Sequence, residues 1–414
     1  MDRGRRLEER LVRYARVDTQ SDGASETVPT TARQLDLARM LVAELEKLGA
    51  EEVRLTEAGF VLATIPGTDG ADAPVVALLA HVDTASDYAA ANVKPVVHRN
   101  YDGRPIVLPG DPEKVLDETT APGLASRAGD TIVTADGTTL LGADNKAGVA
   151  ILVTLAEVLL GDRSRPCGRL RLCFTPDEET GTGIAHLALD DLGADVGYTL
   201  DGEGLGQVTC ESFSADKARV EIEGVAIHPG RAKGRMVNAL VLAAKLVNLL
   251  PQYARSPETT EGRQGFIHLV AMKGNAARAE LDFILRDFEL DGLEAHGAAL
   301  EAAVEAIGRL EPRARVSCAI SRQYRNMRYW LEKDPRPTEL LLEAVRQAGM
   351  TPRVEPIRGG TDGSQLTERG LPTPNLFTGT HNPHGPYEWA SVQEMEKSLE
   401  TCLRLVSLWA AEAR

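Results

Sequence analysis

The sequence predicts an α/β protein: a helix-covered, mostly parallel sheet with an inserted α+β domain. Three observations predict it. Pro74-Val-Val-Ala-Leu-Leu-Ala80 is a continuous apolar run, the pattern of a strand buried on both faces under helices. The strand-like runs at residues 169–174, 196–200 and 374–378 alternate with helical patterns, and each leads into polar residues. Between residues 214 and 324 the order becomes β-α-β-β-α-β, the ferredoxin-like signature. At 414 residues the chain is too long for one ordinary core. The reading is a sheet domain of residues 1–213 and 325–414 with an insert of residues 214–324, a lid.

In order, residues 5–17 read as a helix. Residues 31–48 repeat apolar side chains at helical spacing (Leu37, Met40, Leu41, Leu45, Leu48) and stop at Gly49. Residues 58–65 read as a strand closed by Pro66-Gly67. The buried run at 74–80 ends in His81-Val-Asp-Thr84. Residues 85–135 carry Pro95, Pro105, Pro109, Pro112 and Pro122 and read as a long irregular region. Residues 149–160 are apolar on most faces, a buried helix, which puts Asp144 at or just before its N-terminus. Arg169-Leu-Arg-Leu-Cys-Phe174 alternates polar and apolar residues, a strand with one buried face, stopped by Pro176. In the insert, 218–223 is a strand and 237–250 a helix. A hairpin of 265–273 and 279–287 turns at Gly274-Asn275. Helix 290–310 and strand 315–324 complete it.

Net charge is −15, which argues against nucleic acid, whose binding needs a basic face. No apolar run approaches the roughly 20 residues of a membrane span. Glu8, Glu9, Arg10 and Arg13 stand where a signal peptide is apolar. Five cysteines, an odd number without metal-type spacing, fit a reducing cytoplasm.

The polar residues at the strand ends carry the chemistry. In parallel helix-covered sheets, sites form beyond the carboxyl ends of the strands. His81, Asp144, the pair Glu178 and Glu179, Asp201 and a late histidine, His381 or His384, all fall there. His81 and Asp83, two apart, face one way on an extended segment, ligand and orienter. Adjacent Glu178 and Glu179 face opposite ways, one toward a cation and the other toward water. Each has a plain alternative: a core histidine, an acidic loop, an aspartate capping a helix. Together, two histidines and several carboxylates are the donor set of a pair of hydrolytic divalent metals, zinc by ligand type.

Motifs running in order across nearly the whole chain strengthen this. They are His81-Val-Asp-Thr-Ala, Thr139-Leu-Leu-Gly-Ala-Asp-Asn-Lys-Ala-Gly148, Phe174-Thr-Pro-Asp-Glu-Glu179, Ile227-His-Pro-Gly-Arg-Ala-Lys-Gly234, Met236-Val-Asn-Ala-Leu240, Arg286-Asp-Phe288, Arg358-Gly-Gly-Thr-Asp-Gly363 and Asn375-Leu-Phe-Thr-Gly379. The sequence resembles the M20 metallopeptidase family, and within it the tripeptide aminopeptidases. The resemblance implies two zinc ions per subunit, with cobalt or manganese as substitutes. His81 and Asp201 would hold one, Glu179 and His384 the other, and Asp144 would bridge them. Glu178 would be the general base acting on the water between the ions, and Asp83 would stand behind His81. His228, on the insert, would polarise the scissile carbonyl oxygen. Arg358, Arg286 and Asn238 would bind small peptides, the arginines through the terminal carboxylate. A homodimer through the lid is compatible with the resemblance. So are two other activities, a dipeptidase or an N-deacylase on the same metals, and an inactive binding homologue.

Two details depart from or refine the family pattern. Asn145 stands where a second aspartate is common, at a bond that is often cis in the family. At the late histidine the pattern is H-G-x-x-E, here His384-Gly-Pro-Tyr-Glu388, which selects His384 over His381. Gly385 is expected to allow the turn after His384, and Glu388 to orient the loop or accept the second imidazole N–H.

Overall fold

The computed structural model describes residues 2–68 and 73–412. The chain divides into two units: residues 1–210, 330–355 and 361–414, and residues 211–329 with 356–360.

The first unit is built on an eight-stranded sheet. Its order is Glu51–Leu55, Val61–Ile65, Leu170–Thr175, Val76–His81, Val196–Gly202, Asn375–Phe377, Gln207–Thr209, Arg353–Val354. The four central strands, from Leu170–Thr175 to Asn375–Phe377, run parallel. Their carboxyl ends therefore gather His81, Asp201 and the segments after Thr175 and Phe377 on one side. Val76–His81 is buried at every residue, as its apolar run predicts. Helix Ala143–Gly161 packs on the sheet with residues 147–156 all buried. Helices Arg3–Ala15, Gln34–Leu48 and Val392–Ala410 add Leu7, Leu41 and Leu399 to the same core. Burying each such side chain contributes about 1.5–3 kcal/mol. Gly49 ends its helix in the left-handed region, at φ +87°.

Two readings of this unit need correction. Strand Leu170–Thr175 is buried on both faces: Leu170, Leu172 and Phe174 enter the core with helix Ala143–Gly161, and Cys173 packs with Ile184, Leu187 and Leu192 in a second cluster. Arg171 survives there because its guanidinium donates to the carbonyls of Asp191 and Leu192 and to Glu52. Residues 85–135 are not wholly irregular. Val96–His98 and Ile132–Thr134 pair with each other, and Ile132–Thr134 pairs with Trp389–Ser391. The Trp389–Ser391 strand in turn pairs with Thr380–His381. Strands of two or three residues are too short to show a period. The edge strand Glu51–Leu55 also escapes the sequence, being mostly exposed.

The second unit carries an antiparallel sheet in the order Phe266–Gly274, Arg278–Asp287, Ser214–Glu223, Arg315–Tyr324. Helices Ala239–Leu249 and Leu290–Leu310 bury Leu242, Leu246, Leu293 and Leu300 in its core with Leu281 and Phe283. The order of these elements follows the sequence reading, and the bounds agree to within two residues except that the first strand begins at Ser214 rather than 218.

Candidate metal centre

His81 closes its strand with an imidazole that is almost fully buried. Nε2 lies 3.0 Å from Asp144 Oδ1 and 3.4 Å from Asp201 Oδ1. Nδ1 lies 3.2 Å from the Asp83 carbonyl and 3.4 Å from its carboxylate. Burial alone would lower the imidazole pKa, but Asp144, Asp201 and Asp83 outweigh it and raise it well above its ordinary value. Asp83 does more than stand behind His81. Its Oδ1 accepts the Glu178 amide at 3.0 Å and its Oδ2 the Glu179 amide at 3.2 Å. One buried carboxylate thus ties two strand ends together.

Asp144 does not cap the helix. Its φ of −81° and ψ of 101° are non-helical, and the bond to Asn145 is cis. Its oxygens face the two histidines, Oδ1 toward His81 and Oδ2 toward His384 at 3.5 Å. Burial opposes ionisation, but His384 and His81 prevail and hold the carboxyl well below its usual range. Asn145 replaces charge with hydrogen bonds: Nδ2 donates to Asp201 Oδ1 at 3.4 Å, and Oδ1 accepts the Gly148 amide at 3.2 Å. Next to it, the buried Lys146 ammonium donates to the Val17 carbonyl at 2.8 Å, and burial lowers it to about 8.

Glu178 and Glu179 lie in a turn, so their different surroundings do not come from strand alternation. Asp177, unremarked in the sequence, sets that turn at φ +57°. Its buried carboxylate accepts from the Thr30 amide at 2.7 Å, the Thr30 hydroxyl, and Gln34 Nε2 at 2.6 Å. Glu179 Oε2 is 3.1 Å from His384 Nε2, while its Oε1 is buried without a hydrogen-bond partner. Burial and Asp144 push Glu179 up to about 7. Burial, then Asp201, raise Glu178 well above its ordinary value. Burial likewise raises Asp201. Asp362 accepts from the Thr175 hydroxyl at 2.6 Å, and burial pushes it to about 7.

The two late histidines differ in surroundings. His384, at φ +66°, meets Glu179 and Asp144 through Nε2. The Asp144 and Glu179 carboxylates raise it to about 11. Its Nδ1 lies 3.3 Å from Asp87, not Glu388. The expected turn at Gly385 is corrected, and of the two roles read for Glu388 only the orienting of a loop remains. The left-handed positions of the turn are Asn382 and His384. Buried Glu388 accepts the amides of Leu141 and Gly142 at 2.8 Å each and of Asp144 at 2.9 Å. It orients the loop that carries Asp144. His381 instead bonds Glu394 at 2.7 Å and stacks on Trp389.

Two groups that could hold a cation result: His81, Asp144 and Asp201; and Asp144, Glu179 and His384. In each, the donor atoms lie within 4.8 Å of one another, and Asp144 is common to both. Among the described residues, no lysine or arginine ion-pairs with Asp144, Glu178, Glu179 or Asp201. Buried carboxylates gathered with imidazoles but no lysine or arginine beside them, one with an orphaned oxygen, fit divalent cations.

The other four predicted residues belong to the second unit. His228 is exposed, and its Nδ1 accepts the Gly230 amide at 3.1 Å. Asn238 caps helix Ala239–Leu249, accepting the Leu240 and Val241 amides. Arg286 donates to the carbonyls of Asp216 and Leu285 and to Gln323, and lies over Tyr324. Arg358 is committed to protein acceptors: the carbonyls of Gly262, Gln264 and Thr260 and the Thr260 hydroxyl. It also packs on Phe213 and Phe266.

Residues 134–408 match the model of peptidase family M20/M25/M40. The chain belongs to peptidase family M20. It is 46% identical over 406 residues to peptidase T of Shouchella clausii, covering 98% of each chain. It is 42% identical to peptidase T of Geobacillus thermodenitrificans, over 97% of this chain and 98% of that one. The fold matches the aminopeptidase PepT of Bacillus cereus, with a TM-score of 0.75 at 21% identity, covering 99% of each chain. It also matches a dinuclear metal-binding M20 peptidase of Bacillus subtilis, with a TM-score of 0.66 at 15% identity, covering 98% of each chain. As an M20 chain of the peptidase T group, it is a metallo-aminopeptidase. Among the described residues, no helix is long and apolar enough to cross a membrane.

Proposed function

We propose that this chain is a two-zinc aminopeptidase that releases the N-terminal residue of tripeptides. The observation that carries it is the pair of donor triads sharing Asp144, with Glu178 beside them and outside both. His81, Asp144 and Asp201 would hold one ion, and Asp144, Glu179 and His384 the other. Divalent cations bound there lower the pKa of water toward neutral and polarise a peptide carbonyl. Histidine and carboxylate donors suit zinc, with cobalt or manganese as substitutes.

The rest is done by the chain's own residues. Glu178 is a buried carboxylate with a raised pKa, suited to take a proton from water and return it to the leaving amine. Asp83 fixes its backbone. Because His228 Nδ1 accepts a hydrogen bond, its neutral ring carries the proton on Nε2. That N–H is a donor for the scissile carbonyl oxygen. Arg286 keeps donors for a terminal carboxylate, whereas Arg358 and Asn238 hold their own unit in shape.

A homodimer through the second unit is part of the proposal. Its edge strand Phe266–Gly274 exposes Val270 and Met272, and helix Ala239–Leu249 exposes Val241 and Leu249. Among the described residues no disulfide joins the cysteines, in keeping with a cytoplasmic site.

The test is zinc-loaded protein assayed against di-, tri- and tetrapeptides and their N-acetyl forms, with metal content measured. Turnover confined to free-amine tripeptides, with two zinc ions per chain, is expected. Faster cleavage of N-acetyl substrates would make it a deacylase and refute the reading.

A further inference from the structure

His381 and Glu394 form a buried pair that the metal centre does not use. His381 Nε2 lies 2.7 Å from Glu394 Oε2, and the Arg127 guanidinium lies 2.5 Å from Glu394 Oε1. Glu394 is 3% exposed and Trp389, on which the imidazole stacks at 3.9 Å, 1%. The ring is clamped on one face and one edge. A carboxylate ion-paired with arginine only accepts hydrogen bonds, so His381 must carry its proton on Nε2. In the neutral ring Nδ1 is then a fixed lone pair, and the ring is only partly exposed.

The backbone ties the segment before His381 to the strand end and loop that carry Asp201 and Asp144. Thr378 and Gly379 donate their amides to the carbonyls of Gly202 and Glu203, directly after Asp201, at 2.8 and 3.1 Å. The Thr380 hydroxyl donates to the carbonyl of Ala143, directly before Asp144, at 3.3 Å. A Cβ built on Gly204 would lie 3.9 Å from His381 Cε1. Glu203 shares this corner, within electrostatic reach of Asp144, His381 and His384. A lone pair held beside carboxylates selects a donor that carries positive charge.

Resting on the aminopeptidase reading above, we propose that His381 Nδ1 binds the primary ammonium of the substrate, and that Glu394 and Arg127 position it. The amine of an N-terminal residue is two bonds from the carbonyl carbon under attack. Its reader must therefore stand next to the metal ligands, and His381 is three residues from His384. The site thereby excludes acylated and desamino peptides through an unpaired lone pair.

Two measurements test this. The first is the ¹⁵N spectrum of ¹⁵N-histidine-labelled wild type, with the His381 signal assigned by its loss in His381→Phe, which keeps the stack on Trp389. The Nε2–H tautomer is expected, and Nδ1–H would overturn the proposal whatever the activity. In Glu394→Gln, Arg127 takes the amide oxygen and the amide nitrogen faces the ring. The tautomer should invert to Nδ1–H, a change that a merely structural role would not produce.

The second compares Ala-Gly-Gly as substrate with propanoyl-Gly-Gly as competitor. In both variants KM for Ala-Gly-Gly should rise about tenfold or more, the scale of one charged hydrogen bond. kcat should change less, Ki for propanoyl-Gly-Gly should hold, and two zinc ions should stay bound. Equal losses on both ligands would overturn the amine assignment and leave the peptidase reading standing. A zinc-loaded wild type that cleaves no tripeptide would overturn both.

Discussion

Removing the Asp83 carboxylate should loosen the base and one strand end at once. Asp83 is fully buried and accepts the amides of Glu178 and Glu179 at 3.0 and 3.2 Å. In Asp83→Ala both amides lose their partner, and each unpaired buried amide costs about 1–3 kcal/mol, roughly 2–6 together. That approaches the whole stability of a domain, about 5–15 kcal/mol, so the alanine variant is expected to fold poorly. Asp83→Asn is the informative change. One oxygen remains, but the new NH₂ faces an amide N–H, so about 1.5–3 kcal/mol should be lost. Urea unfolding of metal-stripped protein reads this without mass action from bound ions. The metal-loaded variant should also lose at least about tenfold in kcat on a tripeptide, because a displaced Glu178 acts only in the transition state. An Asp83→Asn variant within about 0.5 kcal/mol of wild type, with normal kcat, would refute this account of Asp83.

Glu178→Ala should keep two metals and lose turnover, whereas Glu179→Ala should lose one metal; metal analysis showing the reverse would mean their roles are exchanged. Glu388→Ala leaves the amides of Leu141, Gly142 and Asp144 unpaired and should cost roughly 3 kcal/mol or more, with weaker metal binding in calorimetry. Glu388→Gln keeps the oxygen shared by Leu141 and Gly142 and should cost less. Metal-free protein should lose stability as pH rises from about 4.5 to about 7. Glu179 and Asp362 are raised from 4.5 and 3.8 to about 7 on folding, so the folded state holds extra protons that are released across this window. Zinc-loaded protein should lose much less over the same range, which thermal melts at each pH will show. Arg358→Ala should cost about 1–3 kcal/mol of stability and weaken tripeptide acids and amides alike, since its donors hold the 260–264 loop; a loss confined to acids would return it to the substrate site.

The sequence by itself determined the fold class and the inventory of the site. A buried parallel strand must be apolar throughout, so residues 74–80 announce a helix-covered sheet, and such sheets keep their polar residues at strand ends. That logic reaches His81, Asp144, Glu178, Glu179 and Asp201 without coordinates. It also reaches the long elements of the second unit, whose periods are visible over ten or more residues. Tertiary structure decided the partners. Asp83 meets amides 95 and 96 residues away, Glu388 meets amides 244–247 residues away, and Asp177 meets Thr30 across 147 residues. No local pattern encodes such a pairing, because periodicity tells which face is buried and not what lies against it. Spacing likewise does not separate His381 from His384, three residues apart; the H-G-x-x-E pattern selects His384, and the surroundings give the physical reason. A left-handed turn sends one to Glu179 and Asp144, and a two-residue strand holds the other against Trp389 and Glu394.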